Sequence, residues 1–292
     1  MKWIILKAII GIVSFGFLCA QSCKKTDPVP PEGYRLEWSD EFNVDGAPDP
    51  EKWTFEEGFV RNYEIQWYQK ENARCENGCL IIEAQVEHKE CPSYDPASTN
   101  WRYSREFIEY TSSSLTTEGI RTFQDGIIEF RARIPVGQAA WPAIWTTGEQ
   151  MPWPYNGEMD IMELYKVKND GPALFANFFW TGKDEDDVRD NTVVTPITHF
   201  TANDPEWADK FHVWRAEWDE ESIKISVDGE LLNTGIISKM ANGGEYEGTN
   251  PFLLPHILRV NLALRTKDYD QVDPDLLPYR MEVDYIRYFV KL

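Results

Sequence analysis

Histidine, cysteine and basic side chains are all scarce in this chain, and no long amphipathic helical period runs through it; each shortage removes a class of function. Four histidines stand in 292 residues, none paired at ligand spacing, and no cysteine spacing resembles a zinc site. Lys and Arg number 29 against 49 Asp and Glu, giving a net charge of -20 that would repel nucleic acid phosphates and anionic lipid head groups. Nucleic acid is therefore excluded as a partner. No sequence repeat is present, and the apolar run from Ala8 to Leu18 is too short to cross a bilayer, which takes roughly 20 residues. What the chain has in quantity is apolar and aromatic residues, 42% and 14%, enough for one large core. Twelve of these are Trp, whose flat faces suit ligands with apolar C–H surfaces, sugars among them, as well as core packing.

The N-terminus "MKWIILKAIIGIVSFGFLCAQSCKK" has a positive start, an apolar stretch and then small residues, the pattern of an export signal over residues 1–23. Ala20-Gln21-Ser22-Cys23 resembles a bacterial lipoprotein cleavage box with Cys23 as the lipidated first residue, although the Gln is atypical. The expected location is thus the outer membrane or cell surface through a lipid anchor; the alternative is a periplasmic or secreted protein. Residues 24–33, "KKTDPVPPEG", read as an extended Pro-rich tether, and residues 34–292 as one domain. Cleavage before Cys23 leaves Cys75, Cys79 and Cys91, an odd number. Cys75 and Cys79 flank the turn signal "ENG" and could face each other across a hairpin; the alternative is buried thiols.

From Tyr34 onward, strands alternate with turns. "GIIEFRARIPV" places Ile128, Phe130, Ala132 and Ile134 on one face and Glu129, Arg131 and Arg133 on the other. "HVWRAEWDEESIKISVDGELL" repeats the alternation, with "DEES" and "DG" as turns, and "YRMEVDYIRYFV" closes the chain as another strand. A short helix is expected over Asp204 to Lys210. Short strands punctuated by Gly, Pro, Asn and Asp predict an all-β sandwich.

The stretch "YNGEMDIMELY" breaks its own pattern. Glu158 and Asp160 share a strand face, but strict alternation sends Glu163 to the other side. One extra residue, a β-bulge, would bring Glu163 round beside them and leave Met159, Ile161 and Met162 for the core. Two carboxyls on one face are the minimum equipment of glycoside hydrolysis, and retention requires them about 5–5.5 Å apart. Five residues of strand span roughly 16 Å, or about 13 Å with a bulge, so sheet curvature and two long side chains must close the gap. That requirement predicts a curved sheet with a cleft. Asp160 between the two Glu would share a proton and split the titrations of the cluster. From spacing alone, an acidic strand facing solvent remains the competing reading.

"GEMDIMELY" resembles the active-site signature of glycoside hydrolase family 16 in its bulged form, of the laminarinase and endo-β-glucanase branch. "LEWSDEFN", "RNYEIQWYQKENARCENGCLIIEA", "DGIIEFRARIPVGQAAWPAIW", "FHVWRAEWDEESIKISVDGELL" and "MEVDYIRYF" extend the resemblance across Tyr34 to Leu292 in the family's order. It implies an antiparallel β-jelly-roll sandwich with a concave substrate cleft, and endo-cleavage of a β-linked polysaccharide with retention. Glu158 would be the nucleophile, Asp160 its electrostatic helper and Glu163 the general acid/base. Trp141 and Trp145 match the family's aromatic pair at sugar subsites; Asn62 and Glu64 match a glycone-side contact, with Trp67 and Tyr68 at the same end; Asn177 matches a polar residue presented to the cleft. No cofactor is implied for catalysis. Some members hold a structural calcium, and Glu41 and Asp284 match that arrangement. A monomer is expected.

The strand after the motif, "LFANFFWTG", lacks the His that many β-1,3-glucanases of the family carry, "NLALRTKDYDQVDPDLLPY" lacks a Gly-rich stretch, and inserts at Cys91 to Tyr110 and "GKDEDDVRDNT" could reshape subsites. The expected substrate is β-1,3- or mixed β-1,3/1,4-glucan. The alternatives are a β-galactanase of the agarase or porphyranase type with the same acids, a non-catalytic glucan-binding lipoprotein, which typically loses one of the acids, and a transglycosylase. Metabolic palmitate labelling tests the anchor: label on Cys23 that disappears in Cys23→Ala is expected, and an unlabelled wild type would contradict it.

Overall fold

Alternating patterns bury one side of each strand, and two such sheets close over each other. The structure, a computed structural model, describes residues 27–167, 170–265 and 272–292. The export signal, Cys23 and residues 24–26 of the expected tether lie outside the described residues. One sheet runs, neighbour to neighbour, Val188–Pro196, Gly171–Thr181, Glu158–Val167, Ala140–Gly148, His256–Leu264, Ser114–Thr116 and Thr54–Phe55. The other is ten-stranded, with the Gly126–Arg133 strand between His212–Trp218 and the last strand, Tyr279–Lys291. Both are antiparallel except where Gln66–Tyr68 pairs in parallel with Phe107–Ser112. This is the jelly-roll sandwich expected from the sequence.

The core lies between the sheets. Ile128, Phe130 and Ala132 face it as alternation requires, and Phe130 stacks on Trp214 with ring centroids 5.7 Å apart. Leu258, Val260 and Leu262 from one sheet meet Ile223, Ile225, Val283 and Ile286 from the other. Each large apolar side chain removed from water in this way contributes about 2 kcal/mol. The expected "DG" turn joins Ser222–Val227 to Glu230–Ile236 with Asp228 and Gly229 both at positive φ, 49° and 82°, the combination a tight two-residue hairpin needs. The helix expected over Asp204 to Lys210 is reduced to a 3-10 turn at Trp207–Asp209, and the α-helical turn lies earlier, at Ile197–Thr201.

One expectation is corrected. Cys75 and Cys79 do not bridge: Cys75 pairs across the hairpin with Leu80 and Cys79 with Glu76, so the two cysteines lie on opposite faces. Cys75 is a free thiol in the main core, Cys79 packs with Ile81 and Phe211, and Cys91 is a second buried free thiol. Glu41 and Asp284, the residues expected at a structural calcium, each face a guanidinium. Arg287 donates from Nε and Nη2 to Glu41 at 2.9 and 2.8 Å, and Arg131 Nη1 donates to the buried Asp284 at 2.6 Å. No group of three acid, His or Cys side chains among the described residues could hold a metal.

Candidate active site

The Glu158–Val167 strand is held between two neighbours, and its register with both slips at the same place. Against Gly171–Thr181, Asp160 pairs with Asn177 and Glu163 with Phe175, three residues facing two; against Ala140–Gly148, Asp160 pairs with Trp145 and Met162 with Ile144, two facing one. One additional residue is therefore stored at Ile161-Met162, the bulge that the sequence calls for. Met159, Ile161 and Met162 are all fully buried in the core, so Glu158, Asp160 and Glu163 emerge together on the outer face of the seven-stranded sheet. The same outward alternation delivers Trp141, Ala143, Trp145 and Thr147 from one neighbouring strand and Arg259 and Asn261 from the next. Together these side chains line a cleft containing two contiguous spaces of about 500 and 930 Å³ that share the three acids.

Indole N–H groups hold the two outer carboxyls from either end. Trp141 Nε1 donates to Glu163 Oε1 at 2.7 Å, and Trp153 Nε1 donates to Glu158 Oε2 at 3.0 Å. Asn177 Nδ2 bridges the other two acids, donating to Asp160 Oδ2 at 2.9 Å and Glu163 Oε2 at 3.2 Å. Trp145 is oriented from below, its Nε1 donating to Asn261 Oδ1 at 2.8 Å. Arg61 and Arg259 both lie over its ring, 5.1 and 4.9 Å from the centroid. Glu56 sits against both guanidinium groups and bonds directly to Arg61.

Burial pushes all three acids up, but their surroundings differ. The Glu158 carboxyl rises to about 7 against three opposing influences: the Trp153 N–H and the positive charges of Arg61 and Arg259. Glu163 also rises to about 7; the Trp141 N–H, the positive charge of Arg265 and the Asn177 amide oppose the shift, while the negative charge of Glu158 adds to burial. Asp160, buried and flanked by both, is pushed well above the ordinary range and relieved only by Asn177. Three neighbouring, partly desolvated carboxyls resist ionising together, because each charge raises the cost of the next. The first charge goes to one of the two outer glutamates: Arg61 and Arg259 favour it on Glu158, and Arg265 favours it on Glu163.

The other sequence-predicted residues divide. Asn62 lines the cleft, and so does Glu64, a buried acid whose carboxyl burial pushes upward while Gln66 Nε2 donates to it at 2.7 Å. Trp67 does not reach the cleft: it is packed edge-on to Phe59, in a small cluster with Cys91 and Ile108, because the three-residue strand that carries it is buried on both faces. Tyr68 is fully enclosed beneath the cleft, its hydroxyl accepting from Asn261 Nδ2 at 3.2 Å. Sequence reasoning missed Trp153, Arg61, Arg259 and Asn261. Trp153 stands five residues before the first acid and Arg61 beside Asn62, so proximity to known motifs was the available signal. Arg259 and Asn261 carried none, since only sheet pairing brings their strand to the acids.

With that geometry in place, comparison with known proteins is decisive. The profile of "Glycosyl hydrolases family 16" matches residues 59–268. The chain belongs to glycoside hydrolase family 16. As a family 16 protein it is an endo-acting glycoside hydrolase. It is 31% identical to a β-glucanase of Rhodothermus marinus over 88% of this chain and 85% of that protein. The laminarinase catalytic domain of Thermotoga maritima superposes with a TM-score of 0.71 at 30% identity, covering 89% of this chain and all of that domain. A structure from a study of endo-acting O-glycanases with which human gut bacteria initiate mucin breakdown gives 0.79 at 29% identity, over 90% of this chain and 92% of that one.

The two indole contacts predict separate titration shifts. Each N–H favours the ionised carboxylate, so its removal leaves the proton harder to lose. By ¹³C NMR of labelled Glu side chains, Trp153→Phe should raise the Glu158 titration and Trp141→Phe that of Glu163, each by roughly half to one pH unit. A downward movement would refute the assigned contact.

Proposed function

We propose that the protein is a retaining endo-β-glucanase acting on β-1,3- or mixed β-1,3/1,4-glucan, with Glu158 as nucleophile and Glu163 as acid/base. The observation that carries the assignment is the bulge, which brings Glu158 and Glu163 onto one wall of the cleft. Arg61 and Arg259 favour charge on Glu158 and Arg265 favours it on Glu163, so both can ionise in turn, and the division of roles follows the family motif that "GEMDIMELY" resembles. In the first step Glu158 attacks the anomeric carbon and an ester bond forms as the glycosidic C–O bond breaks; Glu163 gives its proton to the leaving oxygen. In the second, Glu163 takes a proton from water, the water oxygen attacks the same carbon, and Glu158 leaves as carboxylate. Asp160 remains neutral between them, so the developing charges do not meet a third. Asn177 holds Asp160 and Glu163 in fixed relation.

The glucan reading rests on relatives such as the Rhodothermus marinus β-glucanase and the Thermotoga maritima laminarinase. Trp141, whose indole lines both spaces of the cleft, supports it as a sugar platform beside Glu163. Trp145 is less free for that task, since two arginines lie over its ring. The likeness to the O-glycanase structure makes mucin O-glycans the natural contrast in a substrate panel. The export signal and Cys23 support an enzyme tethered by lipid at the bacterial surface.

Purified protein incubated with laminarin, barley β-glucan, agarose, porphyran and mucin O-glycans is expected to release oligosaccharides from the glucans. Release only from the others would replace the substrate and keep the chemistry. Glu158→Ala should lower hydrolysis by roughly four orders of magnitude, with azide restoring turnover to a glycosyl azide of inverted configuration. Normal activity in that variant would remove Glu158 from the mechanism.

A further inference from the structure

The 91–106 insert folds over the 58–64 loop and fixes an aromatic side chain in water at the end of the cleft. Tyr63 is 70% exposed, and it and Asn62 are consecutive non-glycine residues at positive φ, 56° and 55°. Each such residue costs about 1 kcal/mol or more, so a pair of them persists only where surrounding contacts impose it. Those contacts come from the insert. Arg102 donates from Nε and Nη2 to the Val60 carbonyl at 2.8 and 2.6 Å, and Arg105 from Nη1 to the Glu64 carbonyl at 3.0 Å. The Trp101 ring backs Tyr63 at 4.9 Å with an interplanar angle of 32°. Trp101 itself packs on the buried cluster of Phe59, Trp67, Cys91 and Ile108, which anchors the insert.

Tyr63, Trp101 and Arg102 all line the larger space of the cleft, the one that also contains Glu158, Asp160 and Glu163. A polymer held at the acids and running toward Asn62 meets them next. Arg102 has no carboxylate partner among the described residues; its guanidinium bonds to a carbonyl and lies 4.8 Å from the Trp101 ring centroid. We infer that Tyr63, backed by Trp101 and flanked by Arg102, forms an additional sugar-binding subsite. It takes a pyranose of the polysaccharide beyond those at the acids, with a C–H face on the Tyr63 ring and oxygen substituents toward Arg102. The inference rests on a polysaccharide substrate but not on its being a glucan. If the pair served only to pack the insert, its loss would affect stability and would not discriminate substrates by length.

The test is a ladder of oligosaccharides prepared from whichever polymer the wild-type enzyme cleaves. Failure of the glucan reading would show as no release from glucans by the wild type, separately from any length effect. Tyr63→Ala should lower kcat/KM on long oligosaccharides and polymer about tenfold, through KM, with a progressively smaller loss as the chain shortens below the subsite. Tyr63→Phe, which keeps the ring, should retain most of the activity on long substrates. A loss equal at every length, with or without a lowered Tm, or no loss at any length, would overturn the subsite.

Discussion

Everything chemical in this protein depends on one surplus residue in a strand. If the Glu158–Val167 strand alternated strictly, Glu163 would turn into the core and Met162 into the cleft, and neither side would be satisfied. Storing the surplus at Ile161-Met162 lets Met159, Ile161 and Met162 stay in the core while the three acids share one surface. The bulge is bounded on both sides by regular pairing. Asp160 lies in one rung with Asn177, Trp145 and Arg259 across four strands, so the distortion is local and the neighbouring ladders define it.

That placement creates an electrostatic problem which becomes the mechanism. Three carboxyls lie together, Asp160 buried and Glu158 and Glu163 half-buried in the cleft, and desolvation disfavours charge on each. Arg61, Arg259 and the Trp153 N–H favour charge on Glu158, while Arg265, Asn177 and the Trp141 N–H favour it on Glu163. The arrangement costs stability. Glu158 and Glu163 hold protons in the folded state up to about pH 7, whereas the unfolded chain loses them near 4.5, so the folded protein binds more protons between those values. Their contribution therefore falls as pH rises through that window, opposite to the behaviour of a salt-bridged carboxylate.

Much of this was legible before any coordinates. Strict alternation in "GIIEFRARIPV" and "HVWRAEW" specifies half-buried strands, because a period of two cannot be satisfied any other way beside a core. The broken alternation of "EMDIME" identified both the bulge and the acids. What escaped was information that only pairing creates: Arg259 and Asn261 belong to a strand distant in sequence, and Cys75 and Cys79, plausible partners by spacing, point to opposite faces because the hairpin register is offset by one. Trp67 looked like a subsite and is core, since nothing local distinguishes an aromatic at a cleft from one beneath it. Glu41 and Asp284 matched a calcium arrangement, and each also faces an arginine.

The central claim is that the bulged strand presents Glu158 to the cleft as the group that bonds to the sugar. A 2-deoxy-2-fluoro glycosyl fluoride of the hydrolysed sugar, which slows release of the covalent intermediate, followed by peptide mapping, tests this most directly. The account predicts one sugar esterified to Glu158; a label on Glu163, or no adduct together with products of inverted configuration, would contradict it.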